Sequence, residues 1–494
     1  MQKAAELSGF QTFFSIIQGC FAYQPPFHNS LFSIYFCLIT TVSTQNIYYE
    51  CCFSTFVILN PNTMEVRIMK LMKQLMSVIL AASLAAGMTA GVMASETEAD
   101  STSSADTVRL GLMIAKNGQS LSSDEWEVLA DIFEDVINNK HEDLSLPFAA
   151  DEGLPNLGGA KVEFVTGEQI DTQTAVQVAE HLILEEGVVG LFGHFTSTTT
   201  AAAMVAAEKN SVPLLSEGTS MSLLNAGYDY WLRSFGGDDF YVESSMEFID
   251  SVKEASGDIS TIALCSENSD FGTGIASLEK AAAEEHGYEV VENVFYDSTD
   301  RDVSSKVRLL KDAGADVVMM SSYATDAVAF MEEFKAQDYF PKMLLGQRGG
   351  FMSSGFAKTL GADADTVLTT ARWCTAMDNE ASVQIAKLFE EKTGSALIGD
   401  VLVDVWNGVL LAVAINQAGS TDSKEIRAAF AQGLDLDPAL DPMALDGYVY
   451  GETGENENHA CVIVQYADGA LGTVYPEDKA VAELTYPSVT WSER

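Results

Sequence analysis

The chain has 494 residues, 47% of them hydrophobic, and a formal net charge of −44. That length supports two or three packed cores, and so acidic a surface repels nucleic-acid phosphates and anionic lipid, which argues against nucleic acid as a partner. Of seven cysteines only Cys265, Cys374 and Cys461 follow residue 94; their wide spacing offers neither a disulfide framework nor a zinc pair, so they read as small core residues, with no metal and no cofactor expected.

In chain order, residues 1–63 come first, rich in Phe, Tyr and Cys, with no acidic or basic residue between Glu6 and Glu50. They read as a doubtful upstream extension, the working start being Met64 or Met69. The rival reading is a membrane segment over 31–42, about 12 residues against the ~20 that a span needs. Residues 64–94 read as a signal peptide: Lys70 and Lys73 begin it, 75–86 is apolar, and Val92-Met93-Ala94 offers a small-x-Ala cleavage site. No cysteine sits there to take a lipid. Residues 95–106 form an acidic linker, and from residue 95 onward 23 basic residues face 68 acidic ones. The expected location is extracytoplasmic: periplasmic, at the cell surface or secreted.

From there strands and helices alternate. A strand at 107–115 precedes a helix at 125–138, whose Trp126, Leu129, Ile132, Phe133, Val136 and Ile137 recur at helical spacing. A strand at 161–165 follows. Asp171 then N-caps a helix that buries Ala175, Val178, Ala179 and Leu182. Next come a strand at 188–192, a helix at 201–209 and a strand at 212–215. The rhythm resumes with strands at 259–264, 289–295, 315–320 and 342–345, interleaved with helices at 274–285, 304–313 and 326–337. A long helix at 401–417 precedes short strands at 447–450 and 460–466 and an Asp468-Gly469 hairpin turn. No apolar run of about 20 residues follows the signal. Two such series predict an α/β fold of two doubly wound lobes with parallel sheets.

The stretch GHFTSTTTAAA at 193–203 leaves the C-terminal end of a strand and enters a helix. Ligands collect at such strand ends in open parallel sheets. Free N–H groups at the helix start favour an anion, and Ser197, Thr198, Thr199 and Thr200 donate without adding charge. The next strand end supplies SEGTS at 216–220, with donors at Gly218, Thr219 and Ser220. The pair suits one small carboxylate; the alternative is that these are ordinary helix caps and turn residues.

From about residue 107 to residue 469 the chain resembles the type I periplasmic binding proteins of the leucine/isoleucine/valine-binding family, soluble receptors for ABC importers. The carriers are GHFTSTTT with SVPLLSEGTS, AGYDYWLRSFGGDD at 226–239, ALCSENSDFGTGIA at 263–276, and ADVVMMSSYATDAVAFMEEFKAQDYFPKMLLGQ at 315–347. The resemblance implies two lobes joined by a multi-crossover hinge. Lobe one would take 107–237 and 373–460, lobe two 238–372 and 461–480, leaving 481–494 as a tail. It also implies a carboxylate clamp at Ser197 and its neighbour Thr198, with Gly218 and Thr219 in the second loop. Phe271 stands where the family carries a ligand-facing Tyr, and Tyr323 occupies a second aromatic position. Arg348 stands where the family uses an acidic residue for the ligand's ammonium. If Arg348 points inward, it would repel an ammonium and favour a second carboxylate, a sulfonate or an acidic amino acid. Glu217, Asp238, Asp239, Glu267 or Asp326 would then serve an ammonium from another direction. If Arg348 points outward, it pairs with surface acids. The first loop, AKNGQSLSSDEW, is longer and more polar than the family's. Trp126 reads as core.

No Gly-x-Ser-x-Gly elbow, His-Glu-x-x-His pair, P-loop or Gly-x-Gly-x-x-Gly is present, and His194 beside the hydroxyls lacks an orienting third group. No catalytic residue is expected. The implied function is the solute-binding component of an ABC importer, taking an amino acid or related small carboxylate and docking on a membrane permease. The alternative is a sensory or regulatory ligand-binding protein of the same fold that signals to a membrane receptor.

Overall fold

The computed structural model describes residues 42–43, 46–47, 107–116, 123–193, 196–373, 379–397, 399–443 and 445–494. The signal peptide and linker, the loop at 117–122, His194 and Cys374 lie outside these residues, as does nearly all of the upstream extension. The chain divides into two compact units, Met1–Ser101 and Thr102–Arg494. In the first, Val42–Ser43 pairs antiparallel with Asn46–Ile47.

The second unit is built on two sheets. The first sheet comes from β1 (Val108–Ala115), α1 (Ser123–Asn138), β2 (Val162–Gln169), α2 (Thr172–Leu184), β3 (Gly190–Gly193), α3 (Ser197–Asn210), β4 (Leu214–Ser216) and β5 (Trp231–Leu232). Its strands run parallel in the order β2-β1-β3-β4-β5. The second sheet follows from α4 (Asp238–Ser256), β6 (Thr261–Glu267), α5 (Asp270–Glu285), β7 (Glu289–Tyr296), α6 (Ser304–Ala313), β8 (Val317–Ser321), α7 (Ala324–Ala336), β9 (Met343–Gly346), α8 (Ser354–Leu360) and β10 (Leu368–Ala371). The chain then returns to the first sheet as α9 (Glu380–Thr393), α10 (Asp400–Ala418) and α11 (Ser423–Gln432). It ends in the second sheet as β11 (Val462–Ala467) and β12 (Ala470–Tyr475). The second sheet has the order β12-β11-β10-β9-β8-β6-β7, parallel except where β11 joins β10 and β12.

Both sheets are doubly wound, and strand periodicity explains how. Leu110, Leu112 and Ile114 of β1 enter a core with α1 and α10, while Met113 enters a core with α2 and α3 on the other face. In β8, Val318 and Met320 pack with α6 and α7, whereas Val317 and Met319 pack with α4. Each such buried side chain contributes ~1.5–3 kcal/mol over its exposed state. Trp126 lies in the first of these cores and Cys265 in the α6–α7 core, as a free thiol. Helix α10 has an 18-residue window apolar enough to cross a membrane, and 83% of that window is buried, most of it in the first core.

Local signals behave as chemistry requires. Asp171 accepts from Thr174 N at 2.8 Å while Thr174 Oγ1 accepts from Asp171 N at 2.9 Å, a reciprocal cap. Asp468 and Gly469 both have positive φ, 53° and 77°, the backbone a two-residue hairpin needs. Two expectations change. Residues 447–450 form no strand; a single bridge joins Tyr450 to Asn456. Their aromatic side chains turn inward instead: Tyr448 O–H meets Asp441 and accepts from Trp406 Nε1, and Tyr450 O–H donates to Ser234 Oγ at 2.9 Å. The helix expected from residue 201 begins at Ser197, because Thr196 caps it four residues earlier. Residues 481–494 pack on the second sheet's side: Trp491 Nε1 donates to Tyr339 O at 2.9 Å, and the Arg494 guanidinium lies 4.0 Å from the Phe340 ring.

Candidate functional site

The C-terminal ends of six strands, β3, β4, β6, β8, β9 and β10, supply the side chains of one polar region. In the first turn Thr196 Oγ1 accepts from Thr199 N at 3.2 Å, which leaves the earliest N–H groups of α3 without intrahelical partners. Ser197 is buried and its Oγ accepts from Ser220 N at 3.2 Å, tying the first hydroxyl turn to the second.

The second turn is held from behind. Arg233 is fully buried, and its Nη1 donates to the carbonyls of Gly218, Thr219 and Ser220 at 3.3, 2.9 and 3.4 Å. Its Nε and Nη2 both reach Glu455 Oε1, at 2.9 and 2.6 Å. With its carbonyls taken up by Arg233, the turn sets Thr219 in the pocket. Glu217 is committed too. Its Oε1 accepts from Asn407 Nδ2 at 2.8 Å, and its Oε2 pairs with Arg372 Nη1. Arg372 lies just past β10; its Nε donates to Tyr241 O–H, and its guanidinium sits 5.2 Å from that ring.

The opposite wall comes from the second sheet. Ser269 caps α5, accepting from Gly272 N at 3.3 Å, and places Phe271 in the first turn. Gly272 is required there: a Cβ would stand 1.9 Å from Glu267 O. Tyr323 precedes α7, and its ring lies 5.6 Å from that of Phe271 at an interplanar angle of 44°. After β9, Arg348 takes φ 49° and ψ −120°, a backbone that non-glycine residues seldom adopt. Its N–H donates to Thr369 Oγ1 at 3.1 Å, and its guanidinium lies 5.2 Å from the Tyr241 ring. Gly349 follows with φ 47°, where a Cβ would meet Ser322 O at 2.6 Å.

Between these walls lies a pocket with about 300 Å³ of empty space, part of it open to solvent. Ser197, Thr219, Phe271, Tyr323 and Arg348 all line it. Thr198, half-buried, and Gly218, packed against Leu223 and Thr200, are adjacent to the lining and not part of it. Glu217, Gln347 and Gly349 complete the wall. Of these, Gln347 and Gly349 were marked only by adjacency to Arg348 at a strand end. The two orientations left open for Arg348 resolve to the inward one: the residue is 8% exposed and lines the pocket.

Charge behind the wall is tuned by burial. Asp238, 1% exposed, is pushed up to about 6 by burial, with Thr219, Arg233 and Arg348 pulling the other way. Glu279 is pushed up to about 8 by burial, against opposing hydrogen bonds from Gln347 and Ser321. Burial likewise holds the Tyr323 phenol well above its ordinary value, so it stays a hydroxyl. Among the described residues no group of three His, Cys, Asp or Glu side chains is placed to hold a metal ion.

Two doubly wound lobes whose strand ends enclose one donor-rich pocket define a binding protein of the two-lobed class. A family model described as periplasmic binding protein matches residues 139–470, and the chain belongs to that family of non-enzymatic binding proteins. Membership implies an extracytoplasmic location. A Leu/Ile/Val-binding protein homolog from Brucella suis is 26% identical over 340 residues, covering 67% of this chain and 84% of the relative. Two solved structures share the fold. A branched-chain amino acid transporter substrate-binding protein from Streptococcus pneumoniae, in complex with isoleucine, has a TM-score of 0.62 at 18% identity, covering 75% of this chain and all of that one. An ABC-transporter solute-binding protein from R. palustris, in complex with benzoate, has a TM-score of 0.61 at 16% identity, covering 78% and 98%.

Proposed function

We propose that this chain is the solute receptor of an ABC importer, exported by the signal at 64–94, that closes on a small carboxylate such as an amino acid or a related acid. The carrying observation is one pocket walled by Ser197 and Thr219 from the first sheet's strand ends and by Phe271, Tyr323 and Arg348 from the second's. Hydroxyls and helix-start N–H groups suit a carboxylate without placing a second full charge beside it. Isoleucine and benzoate, held by two proteins of the same fold, both carry that group.

Contacts between the two lobes support a closing motion. Ser354 Oγ donates to Glu125 Oε1 and Oε2, both at 2.9 Å, and Lys358 Nζ reaches Oε1 at 2.9 Å, joining α8 of the second lobe to α1 of the first. On the other side Ser220 Oγ donates to Asp270 O at 3.4 Å. These bonds exist only while the lobes meet, so a ligand that bridges the pocket shifts the population toward the closed form the permease would read.

The test is a thermal-shift and calorimetric screen of the purified protein against amino acids, dicarboxylates, aromatic carboxylates and sulfonates. A true ligand raises the melting temperature with RT ln(1 + [L]/Kd) and contracts the protein in solution scattering. Failure of every carboxylate to bind overturns the reading. Sequencing the N-terminus of the exported protein tests cleavage after Ala94.

A further inference from the structure

A buried arginine stands where the chain passes from one lobe to the other. Ala371 packs with Val462 and Val464 of the second sheet, while Trp373 packs in the first core, so Arg372 is the residue at which the chain crosses. An earlier crossing lies between Phe235 of the first core and Val242, which packs with Phe271 and Tyr323. Arg372 is 2% exposed, and its guanidinium is held from three directions. Nη1 pairs with Glu217 Oε2, just past β4 in the first lobe. Nη2 donates to Gly236 O, in the earlier crossing, at 3.4 Å. Nε donates to the Tyr241 hydroxyl on α4 in the second lobe, and the guanidinium lies 5.2 Å from the rings of both Phe235 and Tyr241.

Both charged and aromatic partners lead to the pocket. Glu217 lines it, and the Tyr241 ring lies 5.2 Å from the guanidinium of Arg348, which lines it too. A continuous set of contacts thus runs behind the pocket from one wall to the other, through the crossing. Its first-lobe end is fixed in place: Glu217 Oε1 accepts from Asn407 Nδ2 at 2.8 Å, and Asn407 Oδ1 accepts from Ser234 Oγ, two residues before Gly236.

Resting on the closing motion read above, we propose that Arg372 is the hinge residue that holds the closed form, by spanning Glu217 in one lobe and Tyr241 in the other. Opening carries Tyr241 away with the second lobe and leaves Glu217 with the first, so the guanidinium keeps one partner and loses the other. A buried charge deprived of a partner is costly, and that cost favours the state in which the lobes meet. A solute seated between the two walls steadies both ends of the same contacts, so occupancy and closure favour each other. Among the described residues neither Arg372 nor Tyr241 lines the pocket. Weakening their contact therefore lowers the closed fraction and reduces the affinity of every solute by one common factor.

Tyr241→Phe removes the hydroxyl that Arg372 reaches and keeps the ring. Small-angle scattering of the purified full chain without ligand is expected to show a larger radius of gyration in this variant. Calorimetry with isoleucine, glutamate and benzoate is expected to show a loss of about threefold, equal for every solute that binds and carried by faster release. Arg372→Gln is expected to lose at least tenfold, and Arg372→Lys, which keeps a charge beside Glu217, to fall between the two. Should Arg372→Gln not fold, as judged by its melting without ligand, Tyr241→Phe decides alone. Unchanged affinities in Tyr241→Phe overturn the proposal. Losses that differ from solute to solute overturn it as well, since they would make these residues shapers of the pocket. If no solute binds the unaltered protein, the carboxylate reading fails and the scattering comparison decides: a variant no more open than the unaltered protein overturns the role of Arg372.

Discussion

The two walls of the pocket handle buried charge in opposite ways. On the first-lobe side two buried pairs of opposite charge stand at the pocket: Arg233 with Glu455, and Glu217 with Arg372. On the second-lobe side Glu279 and Glu267 are buried without a Lys or Arg at ion-pair distance among the described residues, and Asp326 meets only a largely exposed Arg301 at 3.4 Å. Burial first pushes all three carboxyls up, Glu279 to about 8 with nearby Asp238 adding to it, and Asp326 to about 7 with nearby Glu267 adding to it. Paired charges hold a rigid scaffold that is insensitive to pH near neutrality. Carboxyls held neutral by burial make their wall depend on protonation.

The contrast breaks most sharply at Arg233. Arg233→Ala leaves Glu455 without its partner and three turn carbonyls without their donor, and is expected to cost ~3–5 kcal/mol in denaturant unfolding and to abolish solute binding. A variant that keeps affinity would mean the second turn holds its shape unaided.

Next in size is the pH response of the second wall. The folded-state value of Glu279 lies above its unfolded one, so the native protein keeps a proton that the unfolded chain loses. Stability therefore falls as pH rises from about 4.3 to about 8, by up to about 1.4 kcal/mol per pH unit from this group. Glu279→Gln is expected to flatten that slope and to be the more stable form above pH 8. Melting curves from pH 5 to 9 check the sign, and an unchanged slope refutes the assignment.

Smaller effects sharpen the picture at single atoms. Ser197→Ala removes a pocket hydroxyl and the acceptor for Ser220 N, and should weaken binding by about 1 kcal/mol, while Thr198→Ala, one residue on and off the lining, should stay within about 0.5 kcal/mol. Titrations of both with one ligand decide it; equal losses would place the clamp elsewhere on α3. Smallest is Glu125→Gln, which weakens a partly exposed link between the lobes. Affinity should fall two- to fivefold through faster release, with stability almost unchanged. Stopped-flow release rates identical to those of the unaltered protein would show that the link does not hold the lobes shut.

The alternation of apolar strands with amphipathic helices, the Asp171 cap and the Asp468-Gly469 turn were legible because each depends on neighbours within a few residues. So was the address of the hydroxyl turns, since a parallel strand's C-terminal end is marked by the helix that follows. Residues 447–450 misled for the opposite reason. Their alternating pattern fits a strand, yet Tyr448 and Tyr450 spend their hydroxyls on Asp441 and Ser234, brought near only by folding.

What the sequence by itself determined is the repertoire: two αβ series, two donor-rich turns and one arginine at an unexpected strand end. Tertiary structure alone decided which charges cancel. Arg233 meets a glutamate 222 residues away, and Arg372 closes on Glu217 across the lobes. Whether a buried charge is available to a ligand depends on what stands within a few ångströms, and for these groups that neighbour is set by the packing of two sheets, not by the local order of residues.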